Sequence, residues 1–138
     1  MRVVLDTNVV VSALLWGGMP KKLLELASEG AIDLLTSDTL LEELGRILSR
    51  AKFSVKLAEH RASASDIVQK YRDHAAVVAV AALPTLQLRD PKDHHVVASA
   101  DAAGAELLVT GDRDLLALKT YRVIRIVTVT EALELIEG

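Results

Sequence analysis

The chain contains no cysteine. That excludes a disulfide scaffold, a thiolate nucleophile, and zinc or iron–sulfur centres built on sulfur. Aromatic residues are almost as scarce, limited to Trp16, Phe53, Tyr71 and Tyr121. The core must therefore be aliphatic. There is no excess of positive charge either. The formal net charge is -3, so no global basic field draws the protein onto nucleic acid, and such contact must come from a local patch or through metal ions. Long apolar runs are also missing. The longest charge-free stretches, residues 7–20 and 75–88, fall short of the roughly 20 residues of a membrane span, and the second contains Pro84. The acid at position six interrupts any signal-peptide core. A soluble, cytoplasmic protein is expected. A phosphate-cradling loop is absent as well, since no Gly-Lys-Ser/Thr follows any candidate strand.

What is present is aliphatic residues in quantity. Hydrophobic residues make up 51% of 138, and the mean hydropathy is +0.30. That is enough for a full core and a length suited to one domain over residues 1–138. Val3-Val4-Leu5 is a short apolar run that stops at Asp6, which reads as a strand buried on both faces. A helix follows over 9–15 and ends at Gly17-Gly18. A second runs over 20–28, with Pro20 in its first turn and Gly30 as a stop. Residues 31–36 predict the second strand, 38–51 an amphipathic helix, and 53–75 a polar helical segment broken near 63–65. The third strand is expected at 76–81. Asp90-Pro91 opens a helix to 103, stopped by Gly104. Residues 106–110 predict the fourth strand, 112–118 a short helix, 122–127 the fifth strand, and 130–137 a closing helix. Strands alternating with helices imply a parallel sheet covered on both faces. Ligands bind outside the carboxyl ends of the strands in such folds.

Acidic residues recur at those ends. Asp6-Thr7-Asn8 follows the first strand, and each of the three also caps helices well. On the helix after the second strand, Leu40, Leu41, Leu44, Ile47 and Leu48 form one apolar stripe. Glu42 falls opposite that stripe and completes Thr39-Leu40-Leu41-Glu42, which reads as a capping box. Glu43 falls at the stripe's edge, where a carboxylate needs a partner or a metal. Asp90 reads as a helix cap, and Asp93 shares a face with Val96, Val97 and Ala100; it serves equally as an acid on a helix dipole. Asp112 or Asp114 caps the short helix after the fourth strand. Together these signals place Asp6, Glu43, Asp93 and Asp112 around one edge of one sheet. Converging carboxylates repel and raise each other's pKa, and the usual remedy is a divalent cation. Oxygen-only ligands favour magnesium or manganese, and two such ions suit phosphodiester cleavage. Adjacent His94 and His95 diverge by about 100° on a helix, so they do not form a metal pair.

These segments resemble the PIN (PilT N-terminus) domain family. Val3-Val4-Leu5-Asp6-Thr7-Asn8 resembles its opening motif, and Leu41-Glu42-Glu43-Leu44 its second acidic motif. Leu88-Arg89-Asp90-Pro91-Lys92-Asp93 resembles the third, and Leu108-Val109-Thr110-Gly111-Asp112-Arg113-Asp114-Leu115 the fourth. The resemblance runs nearly the length of the chain and is nearest to VapC-like toxins of toxin–antitoxin systems. It implies a three-layer α/β/α fold with about five parallel strands, and a metal-dependent endoribonuclease. It implies metal-ligand roles for Asp6, Glu43, Asp93 and Asp112, supporting roles for Asn8 and Thr110, and a further acid at Asp114. It also implies a homodimer and a small antitoxin that blocks the acidic cleft.

The segment from Arg46 to Arg72 holds seven basic residues, among them Arg46, Arg50, Lys52 and Lys56, against Glu59 and Asp66. It reads either as a solvated helical face or as an RNA phosphate-contacting arm. Scarce aromatics argue against a stacking platform. Trp16, with Leu14 and Leu15, is either core or a contact for a dimer partner or antitoxin. Two other functions are weighed. A dehalogenase-type phosphatase also places Asp after its first strand, but Asn8 stands where that chemistry wants a second acid. A catalytically silent RNA- or partner-binding module would not need all four acids.

Overall fold

The computed structural model describes residues 1–81 and 90–138. Pro84, Leu88 and Arg89 lie outside the described residues. The strands are β1 (Arg2–Leu5), β2 (Asp33–Ser37), β3 (Ala75–Val78), β4 (Leu107–Val109), β5 (Thr120–Tyr121) and β6 (Ile124–Val127). The helices are α1 (Thr7–Leu15), α2 (Gly18–Ser28), α3 (Asp38–Leu48), α4 (Ser54–Glu59), α5 (Ala64–Arg72), α6 (Pro91–Ala102), α7 (Arg113–Leu118) and α8 (Val129–Glu137), with a 3-10 turn at Ala51–Phe53. No helix among the described residues is long and apolar enough to cross a membrane.

The strands form one sheet in the order β3-β2-β1-β4-β6-β5. Every pairing is parallel except β5 with β6. Successive strand residues point to opposite faces, and both faces are covered. Val3, Leu5, Leu107 and Val109 pack with α1, α2, α3, α5 and α8. Val4, Leu108, Ile124 and Ile126 pack with Val96, Val97 and Ala100 of α6 and Leu115 of α7. This double burial is why β1 and β4 read as unbroken apolar runs rather than alternating ones.

The structure refines these expectations. The expected five or so parallel strands are β1, β2, β3, β4 and β6, and one antiparallel strand extends the sheet among the described residues. The additional strand, β5, turns back onto β6 through Arg122 and Val123, with Arg122 at φ 54°. The third strand spans Ala75–Val78 rather than 76–81. The expected break within 53–75 falls between α4 and α5, slightly earlier than 63–65, at Arg61 with φ 52°, and α5 starts with a capping box between Ser63 and Asp66. Helix α3 begins two residues earlier than the Thr39 box requires. Ser37 caps it, its hydroxyl accepting from the Leu40 amide at 3.3 Å, so Glu42 takes no part in a cap. Finally, Trp16 is not core: it is 55% exposed.

Candidate metal centre

All the parallel strands deliver their carboxyl ends to one side, and β1 and β4 meet where the strand order reverses direction. That crevice is the expected ligand position in a doubly wound sheet. Asp6 leaves β1 there as the cap of α1, and Asp112 leaves β4 as the cap of α7. The first turn of α6 brings Asp93, and the middle of α3 brings Glu43. A cavity of about 120 Å³ is lined by Asp6, Asn8, Glu43, Arg50, Asp90, Lys92, Asp93 and Asp112, with Ile47 and Val96 as apolar wall.

Thr110 organises this centre. Its hydroxyl donates to Asp6 Oδ2 at 2.7 Å and accepts from the Asp112 amide at 3.0 Å. Asp6 Oδ1 accepts from the Thr7 amide at 2.8 Å. The Thr7 hydroxyl donates to Glu43 Oε2 at 3.2 Å, and the Lys92 ammonium lies 4.0 Å from Glu43 Oε1. Asp112 Oδ1 accepts from the amides of Asp114 and Leu115 at 2.8 and 3.1 Å. Asp93 is different. It is buried, and its Oδ2 has no hydrogen-bond partner among the described residues. An unpaired buried carboxylate oxygen is costly.

The electrostatics agree. Burial pushes the Asp93 carboxyl up to about 6, and Asp112, Asp6, Asp90 and Asp114 add to the rise. Asp6 is raised chiefly by burial, against the hydrogen bonds from Thr110 and Thr7. Glu43 is raised by burial and by Asp6, with Thr7, Lys92 and Arg46 opposing. One oxygen each from Asp93, Asp112 and Asp114 lies within 4.8 Å of the others, a spacing that suits a shared cation. The all-oxygen donor set and the orphaned Asp93 oxygen fit a hard divalent ion.

Asp6, Glu43, Asp93 and Asp112 thus share one cavity, but the tight oxygen cluster joins Asp93 and Asp112 to Asp114 rather than to Asp6 and Glu43. Asn8 lines the cavity, and Thr110 lies buried behind it. The basic segment divides. Arg50 reaches the cavity and Arg46 acts on Glu43, whereas Lys52 and Lys56 stand over Phe53 and Trp16. Asp90 and Lys92 were not expected at the site. Asp90 has a sufficient explanation as a cap, its Oδ1 accepting from the Lys92 amide at 3.0 Å. A lysine between two aspartates in a first helical turn was the available signal for Lys92.

The PIN domain family model matches residues 2–114. An uncharacterized protein of Methanocaldococcus jannaschii is 32% identical over 123 residues, covering 86% of this chain and 76% of that protein. The solved structure of VapBC2 from Rickettsia felis, bound to a DNA fragment from their promoter, superposes with a TM-score of 0.65 at 19% identity. That match covers 93% of this chain and 98% of the other, and it shows a shared fold.

Proposed function

Because the chain belongs to the PIN domain family, we propose that it is a divalent-metal-dependent endoribonuclease acting as the toxin of a toxin–antitoxin pair. The observation that carries the reading is Asp93, which has a buried, unpartnered oxygen and brings a carboxylate oxygen within 4.8 Å of one each from Asp112 and Asp114. Those three residues would hold magnesium or manganese, with Asp6 and Glu43 completing the acidic wall. A cation bound there supplies positive charge to a phosphodiester in its transition state and makes water a stronger acid.

The chain's own residues prepare that chemistry. Thr110 fixes Asp6 and the Asp112 loop with one hydroxyl, so two acids from separate loops hold a common geometry. Thr7 does the same for Glu43. Arg50 and Lys92 line an otherwise acidic cavity and give an incoming phosphate its cationic contacts. The raised Asp93 carboxyl holds its proton to about pH 6 and releases it when a cation takes its place. A small antitoxin that covers the cavity, a homodimer, and residence in the cytoplasm belong to the same reading. The test is cleavage of a structured RNA with magnesium or manganese, with and without a chelator. Metal-dependent cleavage is expected. Binding without cleavage in any divalent metal would reduce the protein to a silent module.

A further inference from the structure

Trp16, the chain's single tryptophan, is exposed although large apolar side chains usually are not. An aromatic ring and a cation contact it. The buried Phe53 ring meets it edge-on, with centroids 6.0 Å apart and planes at 70°. The Lys56 ammonium stands 5.3 Å from the indole centroid, and that of Lys52 5.2 Å from the Phe53 centroid. Arg46, Arg50, Lys52 and Lys56 follow one another along the chain with no intervening acid. Glu59, paired with Lys56 at 3.1 Å, is the local counter-charge. Arg50 belongs to the acidic cavity, so this cationic run starts at the cavity and ends on the indole. Asp6 and Trp16 cap opposite ends of the nine-residue α1, whose ten rises from cap to cap separate them by roughly 15 Å.

Resting on the nuclease reading above, we propose that Trp16 is a base-stacking subsite for single-stranded RNA. A strand whose phosphate lies in the acidic cavity runs past Arg50, faces Lys52 and Lys56 with its backbone, and lays one base on the indole. An immobilised aromatic face beside cations is the combination that grips single strands without reading their sequence. A polyanion is the occupant we favour over a protein, because the four cations follow one another without an intervening acid and one of them, Arg50, lines the cavity.

The single tryptophan makes the test direct. Trp16 fluorescence is followed in chelator while a short unstructured oligoadenylate is added, beside an abasic oligonucleotide of equal length. Quenching by the oligoadenylate and little by the abasic strand is expected. In anisotropy titrations Trp16→Ala should weaken oligoadenylate binding roughly tenfold, and Trp16→Phe less. The Lys52→Ala, Lys56→Ala double variant should flatten the salt dependence by about 1.4 in log–log slope, some 0.7 per phosphate contact. Circular dichroism checks each fold, and Trp16→Phe and the double variant decide the matter if Trp16→Ala is unfolded. Equal quenching by the abasic strand, or unchanged affinity in the variants, overturns the subsite. So does a Trp16→Ala protein that binds RNA normally but loses self-association, which would make the patch a protein contact. Metal-dependent cleavage that is indifferent to Trp16 removes the subsite and leaves the nuclease. Base-dependent quenching without cleavage in any metal does the reverse.

Discussion

Helix α5 is entered through Ser63-Ala64-Ser65-Asp66 and helix α6 through Asp90-Pro91-Lys92-Asp93, the first residue of each being the cap. In each, a capping side chain is followed three residues later by an aspartate. At α5 the local pattern is the whole story. Ser63 and Asp66 exchange hydrogen bonds at 2.9 and 3.1 Å, and the bonds from Ser63 hold the exposed Asp66 carboxyl below its usual range. At α6 the cap is made by Asp90 alone, and Asp93 turns inward among other acids, where burial drives its pKa the opposite way. The same spacing yields a satisfied acid in one place and a frustrated one in the other. The difference comes from tertiary neighbours, and a frustrated acid that folding tolerates marks where a ligand belongs.

The hardest blow to this contrast is a pair of substitutions. Asp93→Asn should lower metal-dependent RNA cleavage by more than about a hundredfold, beyond the loss usual for residues that only support a ligand. Asp66→Asn should leave the rate unchanged and slightly loosen α5. Cleavage assays with melts on the same samples compare them, and an active Asp93→Asn would end the assignment. Next come the neighbours on α3. Glu43 is 8% exposed and points to the cavity, while Glu42 faces solvent. Glu43→Gln should nearly abolish cleavage and Glu42→Gln should retain it. The reverse result would dismantle the geometry described for the acidic wall.

Metal addition sharpens the same contrast thermodynamically. At pH 8, magnesium or manganese at a hundred times its dissociation constant should stabilise the fold by about 2.7 kcal/mol. The gain should shrink below pH 6 as protons compete for Asp93. Without metal, the pH dependence runs the other way. In the unfolded chain Asp93 ionises near 3.8, and in the fold it keeps its proton to about 6. The folded state binds more protons across that interval, so metal-free stability falls as pH rises through it. The loss from Asp93 should be on the order of 1 kcal/mol after solvent screening, read from melts between pH 4 and 7 as the part of the slope that Asp93→Asn removes, the remainder belonging to Asp6 and Glu43, which are raised as well. The smallest effect belongs to the satisfied side. Ser63→Ala should cost about 1 kcal/mol, the worth of a cap, and leave cleavage untouched.

Much of this was legible in the residues, for identifiable reasons. Buried parallel strands advertise themselves as apolar runs, so β1, β2 and β4 were placed within a residue or two. The stripe on α3 set the phase that separates Glu43 from Glu42. Strand β5 was not legible, because two residues carry no period and its turn uses Arg122 at positive φ where glycine or asparagine would have signalled it. The α3 cap was misplaced because Ser37, Asp38 and Thr39 all qualify by type, and only the end of β2 selects among them. Asp114 was read as secondary because its part in the oxygen cluster depends on how α7 leaves Asp112. Trp16 stayed open between core and surface because a hydrophobic residue at a helix end carries no local sign of which way it faces.

The position of β1 in the middle of the sheet also sets a clock. Its amide at Asp6 donates to Val109 at 2.8 Å, and the Thr110 hydroxyl that steadies Asp6 comes 104 residues later. At roughly 5 to 20 residues per second, a ribosome needs on the order of 5 to 20 seconds to travel from one to the other. Throughout that time Asp6 waits without the strand that completes its surroundings. A nascent chain therefore carries the first acid of the centre from the start of its synthesis yet holds no assembled centre until β4 has docked.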